Sequence, residues 1–138
     1  MGNSYSLEFI TAHTSPCFVV DKVLLEKNLL LLERVRKEAG VKVLLALKGY
    51  AMFSSFELVG KYLDGSCASS VHEARLGREE LGGELHSFAA AYSECDFREL
   101  LYYSNHIIFN SLAQCERFMP IAEAETLPAA INFGLRIN

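Results

Sequence analysis

Lys48 is the residue whose type and place most directly invite chemistry. It ends the run Val41-Lys42-Val43-Leu44-Leu45-Ala46-Leu47 and is followed by Gly49-Tyr50-Ala51-Met52. So nearly unbroken an apolar run is expected of a central strand buried on both faces. In α/β architectures the carboxyl ends of the strands form the ligand crevice, which places Lys48 where catalytic groups gather. Burial there would make its amine a nucleophile able to condense with an aldehyde. Position alone leaves open the commoner case, a strand-end lysine that only extends its ammonium to solvent.

The other reactive side chains are dispersed. Cys17, Cys67, Cys95 and Cys115 form no Cys-x-x-Cys pair, so neither a zinc clip nor a redox couple is expected, and the four read as reduced thiols. His13, His72, His86 and His106 form no His-x-x-x-His pair, the helical spacing that aims two imidazoles at one ion. No metal site is expected.

The elements that must position Lys48 alternate. β-rich runs occur at Cys17 to Val20, Val43 to Leu47, Ser66 to Ser69, Leu85 to Ala90, His106 to Phe109 and Ala129 to Phe133, spaced as strand, loop, helix and loop would be. Helix-start signals follow. Asp21 opens an amphipathic helix to Ala39, with Leu24, Leu25, Leu31, Leu32, Val35 and Ala39 predicted on its buried face and Gly40 as the stop. Ser54 with Glu57 predicts a capping box, stapled by Phe53 and Leu58, and Ser70 with Glu73, Asp96 with Glu99 and Ser111 with Gln114 predict three more. Such alternation demands a parallel sheet with right-handed crossovers, so the fold class is α/β. An open doubly wound sheet and a (β/α)8 barrel both satisfy it, and length alone favours the open sheet.

Composition closes off other classes. With 138 residues, 51% of them hydrophobic and 22% charged, the chain has the apolar content for a packed core. A formal charge of -4, with no basic cluster longer than Arg34-Val35-Arg36-Lys37, leaves no footprint for nucleic acid or an anionic membrane. No apolar run approaches the roughly 20 residues of a membrane span, and Met1 to Glu8 lacks the pattern of a secretion signal. A cytoplasmic protein is expected.

Several segments resemble one family. Ser-Pro-Cys-Phe-Val-Val at 15–20, Leu-Ala-Leu-Lys-Gly-Tyr-Ala-Met at 45–52, Cys-Ala-Ser-Ser-Val-His-Glu-Ala-Arg at 67–75, Ala-Tyr-Ser-Glu at 91–94, Asp-Phe at 96–97, Ile-Phe-Asn-Ser at 108–111 and Gly-Leu-Arg-Ile-Asn at 134–138 are similar, in order, to the amino-terminal part of the carboxynorspermidine decarboxylases. These belong with the pyridoxal-phosphate enzymes of the alanine racemase and ornithine decarboxylase fold type. The resemblance implies a pyridoxal-phosphate-binding (β/α)8 TIM barrel, about six strands of it present in residues 1–138. It also implies that Lys48 carries the cofactor as a Schiff base. Decarboxylation of carboxynorspermidine or carboxyspermidine to norspermidine or spermidine, by a homodimer, is the implied activity. Ala46 matches a small residue lining the cofactor, Glu73 a glutamate near it and Arg136 an arginine facing the site. For each a plain role competes: strand packing, helix capping and a surface ion pair. Tyr92, Ser93, Asn110 and Ser111 fall at strand ends, where a barrel places site residues, while His72 reads as an exposed helix residue. Cys67 stands where ornithine decarboxylases carry an acid, which argues against that enzyme.

The resemblance also implies what these residues do not include: a glycine-rich phosphate loop, a carboxylate for the pyridine nitrogen, the remaining strands and a carboxyl-terminal β-domain. A fragment inactive by itself is expected, with uncovered apolar faces. Diaminopimelate or ornithine decarboxylase is the alternative within the fold type, and a non-catalytic pyridoxal-phosphate carrier is another. A small open-sheet binding domain is the alternative outside it, although Val19-Val20-Asp21-Lys22 offers no glycine-rich turn after the first run.

Overall fold

The computed structural model describes residues 11–12, 14 and 16–137; His13, Ser15 and Asn138, named above, lie outside them. Helix α1 (Lys22–Ala39) leads into strand β1 (Leu44–Ala46). A 3-10 turn, Phe53–Ser55, then runs into helix α2 (Phe56–Val59). Next come β2 (Gly65–Ala68), α3 (Val71–Leu76) continued as a π-turn over Gly77–Leu81, and β3 (Glu84–Phe88). Helix α4 (Glu94–Tyr103), β4 (His106–Phe109), α5 (Leu112–Ala124) and β5 (Asn132–Leu135) complete the order.

All the strands pair in parallel in the order β1-β2-β3-β4-β5. Sequence neighbours are therefore sheet neighbours throughout, with no reversal of strand order. A doubly wound sheet reverses at its switch point, whereas a (β/α)8 barrel winds one way. The sheet is thus of the barrel kind, with five strands and not closed, which corrects the preference for an open sheet drawn from length.

Register sorts the side chains. Ser66, Ala68, Leu85, Ser87, Ile107 and Phe109 are buried, and they alternate with Cys67, Glu84, His86, Phe88, His106 and Ile108, which are half-buried on the opposite face. The first set packs under the helices. There Phe97 lies 4.8 Å from Phe118 and 6.0 Å from Phe109 between ring centroids, with Tyr92 edge-on to Phe118 at 5.9 Å. Full burial of an aromatic ring of this kind stabilises by about 2–3 kcal/mol. The second set forms the inner face of the incipient barrel.

Local signals explain the helix ends. Asp21 caps α1, its carboxylate accepting from Val23 N–H at 2.9 Å and Leu24 N–H at 3.1 Å, and Gly40 ends it at φ 64°. Ser70 accepts from Glu73 N–H at 3.2 Å and Ser111 from Gln114 N–H at 3.2 Å, as the capping boxes predict. The Glu73 and Gln114 side chains close these boxes on Ser69 N–H at 2.7 Å and Asn110 N–H at 2.6 Å, one residue before the cap.

Several expectations are corrected. Cys17 to Val20 is not a strand: Cys17, Phe18 and Val19 are exposed, and β1 pairs only with β2, so the run has no ladder to join. The Ser54–Glu57 box does not form, because the chain enters α2 through a 3-10 turn in which Ser55 donates to Met52 C=O at 2.7 Å, while Glu57 pairs with Lys61 at 3.3 Å. The Asp96–Glu99 box is replaced by one a turn earlier. Ser93 Oγ accepts from Asp96 N–H at 3.1 Å and donates to the Asp96 carboxylate at 2.7 Å, leaving Glu99 to pair with Arg75. The last strand starts at Asn132 rather than Ala129. On α1 Leu25 docks as predicted, joined by Leu29, which the predicted face leaves out, while Leu24, Leu31, Leu32, Val35 and Ala39 stay exposed. Its docking is fixed by Asp64, which accepts from Val43 N–H at 2.9 Å and pairs with Arg36.

Candidate active site

Lys48 lies two residues beyond β1, in the turn where Gly49 N–H and Tyr50 N–H both return to Ala46 C=O, at 2.9 and 3.1 Å. It is thus at the end of the first strand of the sheet, not the second. Alternation along β1 puts Leu44 and Ala46 on the inner face, Ala46 in register with Cys67, and Lys48 follows them in the turn at the strand's carboxyl end. The burial that the sequence suggested is absent: Lys48 and Ala46 are both exposed, because β1 is an edge strand whose inner face has no layer against it. Lys48 makes no hydrogen bond or ion pair among the described residues. Lys37, Lys42 and Lys61, by contrast, are each held by a glutamate.

Ala46 heads a row that crosses the inner face in register. It pairs with Cys67, Cys67 with His86, His86 with His106 and His106 with Asn132. Burial pushes the Cys67 thiol up from its ordinary range. Less of it is thiolate at a given pH, and thiolate is the form that reacts. Exposed Cys17 and Cys95 should therefore be alkylated by iodoacetamide several-fold sooner than Cys67. Peptide mapping along a time course checks this, and equal rates for Cys67 and Cys95 would refute it.

The remaining candidates are scattered. Glu73 spends its carboxylate on Ser69 N–H in the β2–α3 turn, so the capping role read for it is present. Arg136 lies just past β5, where its N–H donates to Phe109 C=O at 2.9 Å, and its guanidinium sits 5.2 Å from the Phe88 ring centroid. A cation over an inner-face ring replaces the surface ion pair considered for it. Tyr92 is structural: its hydroxyl accepts from Ala89 N–H at 3.0 Å and donates to Ile108 C=O at 3.1 Å, tying together the loop after β3 and the end of β4. Ser93 and Ser111 are caps, Asn110 is held through its N–H by Gln114, and His72 is exposed.

One group was missed. Glu84, His86 and His106 converge on the inner face, with a side-chain nitrogen or oxygen from each within 4.8 Å of the others. A search for helical spacing passes over it, because the cluster is built from i, i+2 alternation on β3 and a register partner on β4.

Comparison with known proteins bears on the whole arrangement. The chain is 38% identical over 125 residues to a carboxynorspermidine/carboxyspermidine decarboxylase of Herminiimonas arsenicoxydans. To the enzyme of that name from Campylobacter jejuni it is 37% identical over 124 residues. Each alignment takes in about nine-tenths of this chain, 91% and 90%. The crystal structure of the Campylobacter jejuni carboxynorspermidine decarboxylase, complexed with norspermidine, superposes with a TM-score of 0.77 at 36% identity over 83% of this chain. The chain is homologous to the carboxynorspermidine decarboxylases. It also matches a carboxyaminopropylagmatine decarboxylase of Synechocystis, at 43% identity over 125 residues. The chain spans about a third of the length of these curated relatives, 31% to 33%, and 31% of the crystallised carboxynorspermidine decarboxylase. No family model matches it. Homology to carboxynorspermidine decarboxylases agrees with the one-way winding of the sheet, and no described helix is long and apolar enough to cross a membrane.

Proposed function

We propose that these residues are the lysine-bearing part of a pyridoxal-phosphate-dependent decarboxylase of carboxylated polyamines, cytoplasmic and homodimeric at full length. The observation that carries the reading is Lys48 itself: a primary amine in the turn at the carboxyl end of a barrel-type strand, exposed and without an ion pair or hydrogen bond among the described residues. Its exposed amine and the small Ala46 at the end of the same strand fit the cofactor chemically, one as the nucleophile an aldehyde needs and the other as floor space for a flat ring. When bound, pyridoxal phosphate supplies that aldehyde and a ring able to accept the electron pair released as the carboxylate leaves. Lys48 would hold the group, and its amine would be the proton carrier for the carbon that loses carbon dioxide. Glu73 fixes the β2–α3 turn through Ser69, and Arg136 sets a cation over Phe88 beside β4.

The substrate class follows from the relatives, whose names share a carboxylated polyamine as the molecule decarboxylated and differ in the remainder of its chain. Carboxynorspermidine and carboxyspermidine are the first choice, and the 43% identity to the Synechocystis relative adds carboxyaminopropylagmatine. Expressed at the length of the curated relatives, the protein should release carbon dioxide from at least one of these three and not from ornithine or diaminopimelate; the 138-residue chain alone should release none. Turnover of ornithine or diaminopimelate without turnover of any carboxylated polyamine would overturn the assignment.

A further inference from the structure

The row that crosses the inner face holds one pairing that the lysine chemistry does not use. His86 on β3 and His106 on β4 are register partners, and their rings stack with centroids 4.0 Å apart and planes 22° from parallel. Rings laid face to face cannot aim their in-plane lone pairs at one ion, nor can they hydrogen-bond to each other. What such a pair can take up is protons. The His106 ring is half-buried and has no hydrogen bond among the described residues. His86 Nε2 faces Glu84 Oε2 at 3.4 Å, and the other Glu84 oxygen is held by Lys42.

These surroundings make the two protons unequal. A proton on His86 meets the Glu84 carboxylate, which Lys42 and then His86 itself hold below the usual carboxylate range, so that it stays ionised. It also lays a cation on the face of a neutral ring, where the π electrons of His106 attract it. On His106 a proton has no hydrogen-bond partner. Burial opposes it first, then the facing His86 and Lys42, with Glu84 alone in its favour, and the ring is held below the ordinary imidazole range. The remaining groups beside the pair do not alter this. Cys67 of β2, next to His86, has a thiol that burial pushes up and that stays neutral; Asn132 of β5, next to His106, carries no charge; and Arg136 remains a cation over Phe88 at every relevant pH.

We propose that the His86–His106 stack is a proton-operated joint between β3 and β4, which accepts one proton with the sheet intact and is forced open by the second. Two imidazolium rings cannot keep the stacked distance, and the rings are carried by paired backbones, so their repulsion acts on the strands. Ala46 belongs to the same row, which places the joint on the face where the lysine-bearing strand ends. The device needs only the sheet and holds whatever the chain binds. The unfolded chain takes up the His106 proton near the ordinary value of about 6.5, the folded chain only at lower pH. The stability is therefore fully present above that range and is lost as pH falls through it. Glu84 acts in a separate and more acid window, below about 4.5.

The test follows the histidine ring resonances of the 138-residue chain by NMR through a pH titration, folded and again unfolded in urea. Folded, the His86 and His106 rings should titrate in two separate steps, His106 the later to protonate as pH falls and at a lower pH than in urea. Urea midpoints followed by circular dichroism should be lower at about pH 5.5 than at about pH 7.5. In His106→Gln that fall should shrink to about half or less, whereas His72→Gln, on an exposed helix residue, should keep it. If His106→Gln fails to fold, the ring titration of the wild-type chain decides. A single common step for both rings, at the pH seen in urea, overturns the proposal. So does a midpoint that does not fall with pH, or a fall that His106→Gln leaves undiminished.

Discussion

Replacing Lys48 by alanine is expected to abolish trapping of pyridoxal phosphate by borohydride. The chain has six lysines, and their surroundings differ enough to make the result specific. Lys37, Lys42 and Lys61 are engaged by Glu33, Glu84 and Glu57, and Lys22 and Lys27 project from α1, outside the sheet. Among the described lysines only Lys48 combines a strand end with an amine that has no partner among the described residues. Borohydride reduction of the protein at the length of its relatives, with one equivalent of pyridoxal phosphate, followed by digestion, should put the label on the peptide containing Leu47-Lys48-Gly49. In Lys48→Ala the label should fall to background. Lys48→Arg should behave the same way, because the guanidinium keeps the charge but is not the amine that condenses with an aldehyde. At the length of the relatives, either change should slow decarboxylation on the order of 10³-fold or more, about 4 kcal/mol of barrier. A dominant label on any other lysine would end the assignment.

Much of the architecture was legible because it is written locally. Asp21 and Gly40 bound α1 where a cap and a left-handed glycine must be, β4 runs from His106 to Phe109 as its β-rich composition predicts, and Ser70 and Ser111 cap the helices that follow β2 and β4. What local signals do not carry is the partner. Cys17 to Val20 has the composition of a strand but no ladder, and Leu24, Leu31 and Leu32 on α1 have the right period but face solvent, while Leu25 and Leu29 carry the docking. Ser54 and Glu57 have capping-box spacing, yet the hydroxyl that counts is Ser55, drawn to Met52 C=O and 2.8 Å from the Tyr50 hydroxyl.

The site divides in the same way. Lys48 was legible because an apolar run ending in lysine and glycine locates a strand end. The Glu84, His86 and His106 cluster was not, because its third member arrives through strand register, and register depends on the loops and helix between β3 and β4. Arg136 shows the limit of reading a charge by itself: the ring of Phe88, 48 residues earlier, decides what its cation meets.

The register that builds the inner face hangs on one backbone approach, and breaking it should have the largest effect on stability. Gly65 opens β2 at φ 155°, opposite Glu84. A Cβ at this position would lie 1.9 Å from Glu84 O and 2.5 Å from Glu84 N, both backbone atoms that no rotamer change can move. Gly83, at φ 71°, repeats the constraint from the other strand, with a Cβ there falling 2.4 Å from Asp64 O. Gly65→Ala must therefore push β2 and β3 apart where Glu84 N–H donates to Asp64 C=O at 2.9 Å. It also disturbs Asp64, which anchors α1 through Arg36 and β1 through Val43 N–H. Backbone strain and overpacking together are expected to cost about 3–5 kcal/mol, a large share of the ~5–15 kcal/mol that holds a domain folded. Gly40→Ala is the control: at φ 64° and ψ 33° it is a true left-handed position, but nothing lies within 4 Å of the added carbon, so only the conformational penalty of about 1 kcal/mol applies. Urea titrations followed by circular dichroism should place the Gly65→Ala midpoint far below that of Gly40→Ala. Equal midpoints would mean that the two strands can separate without loss, and that the close pairing of Gly65 with Glu84 is not what fixes the inner-face register.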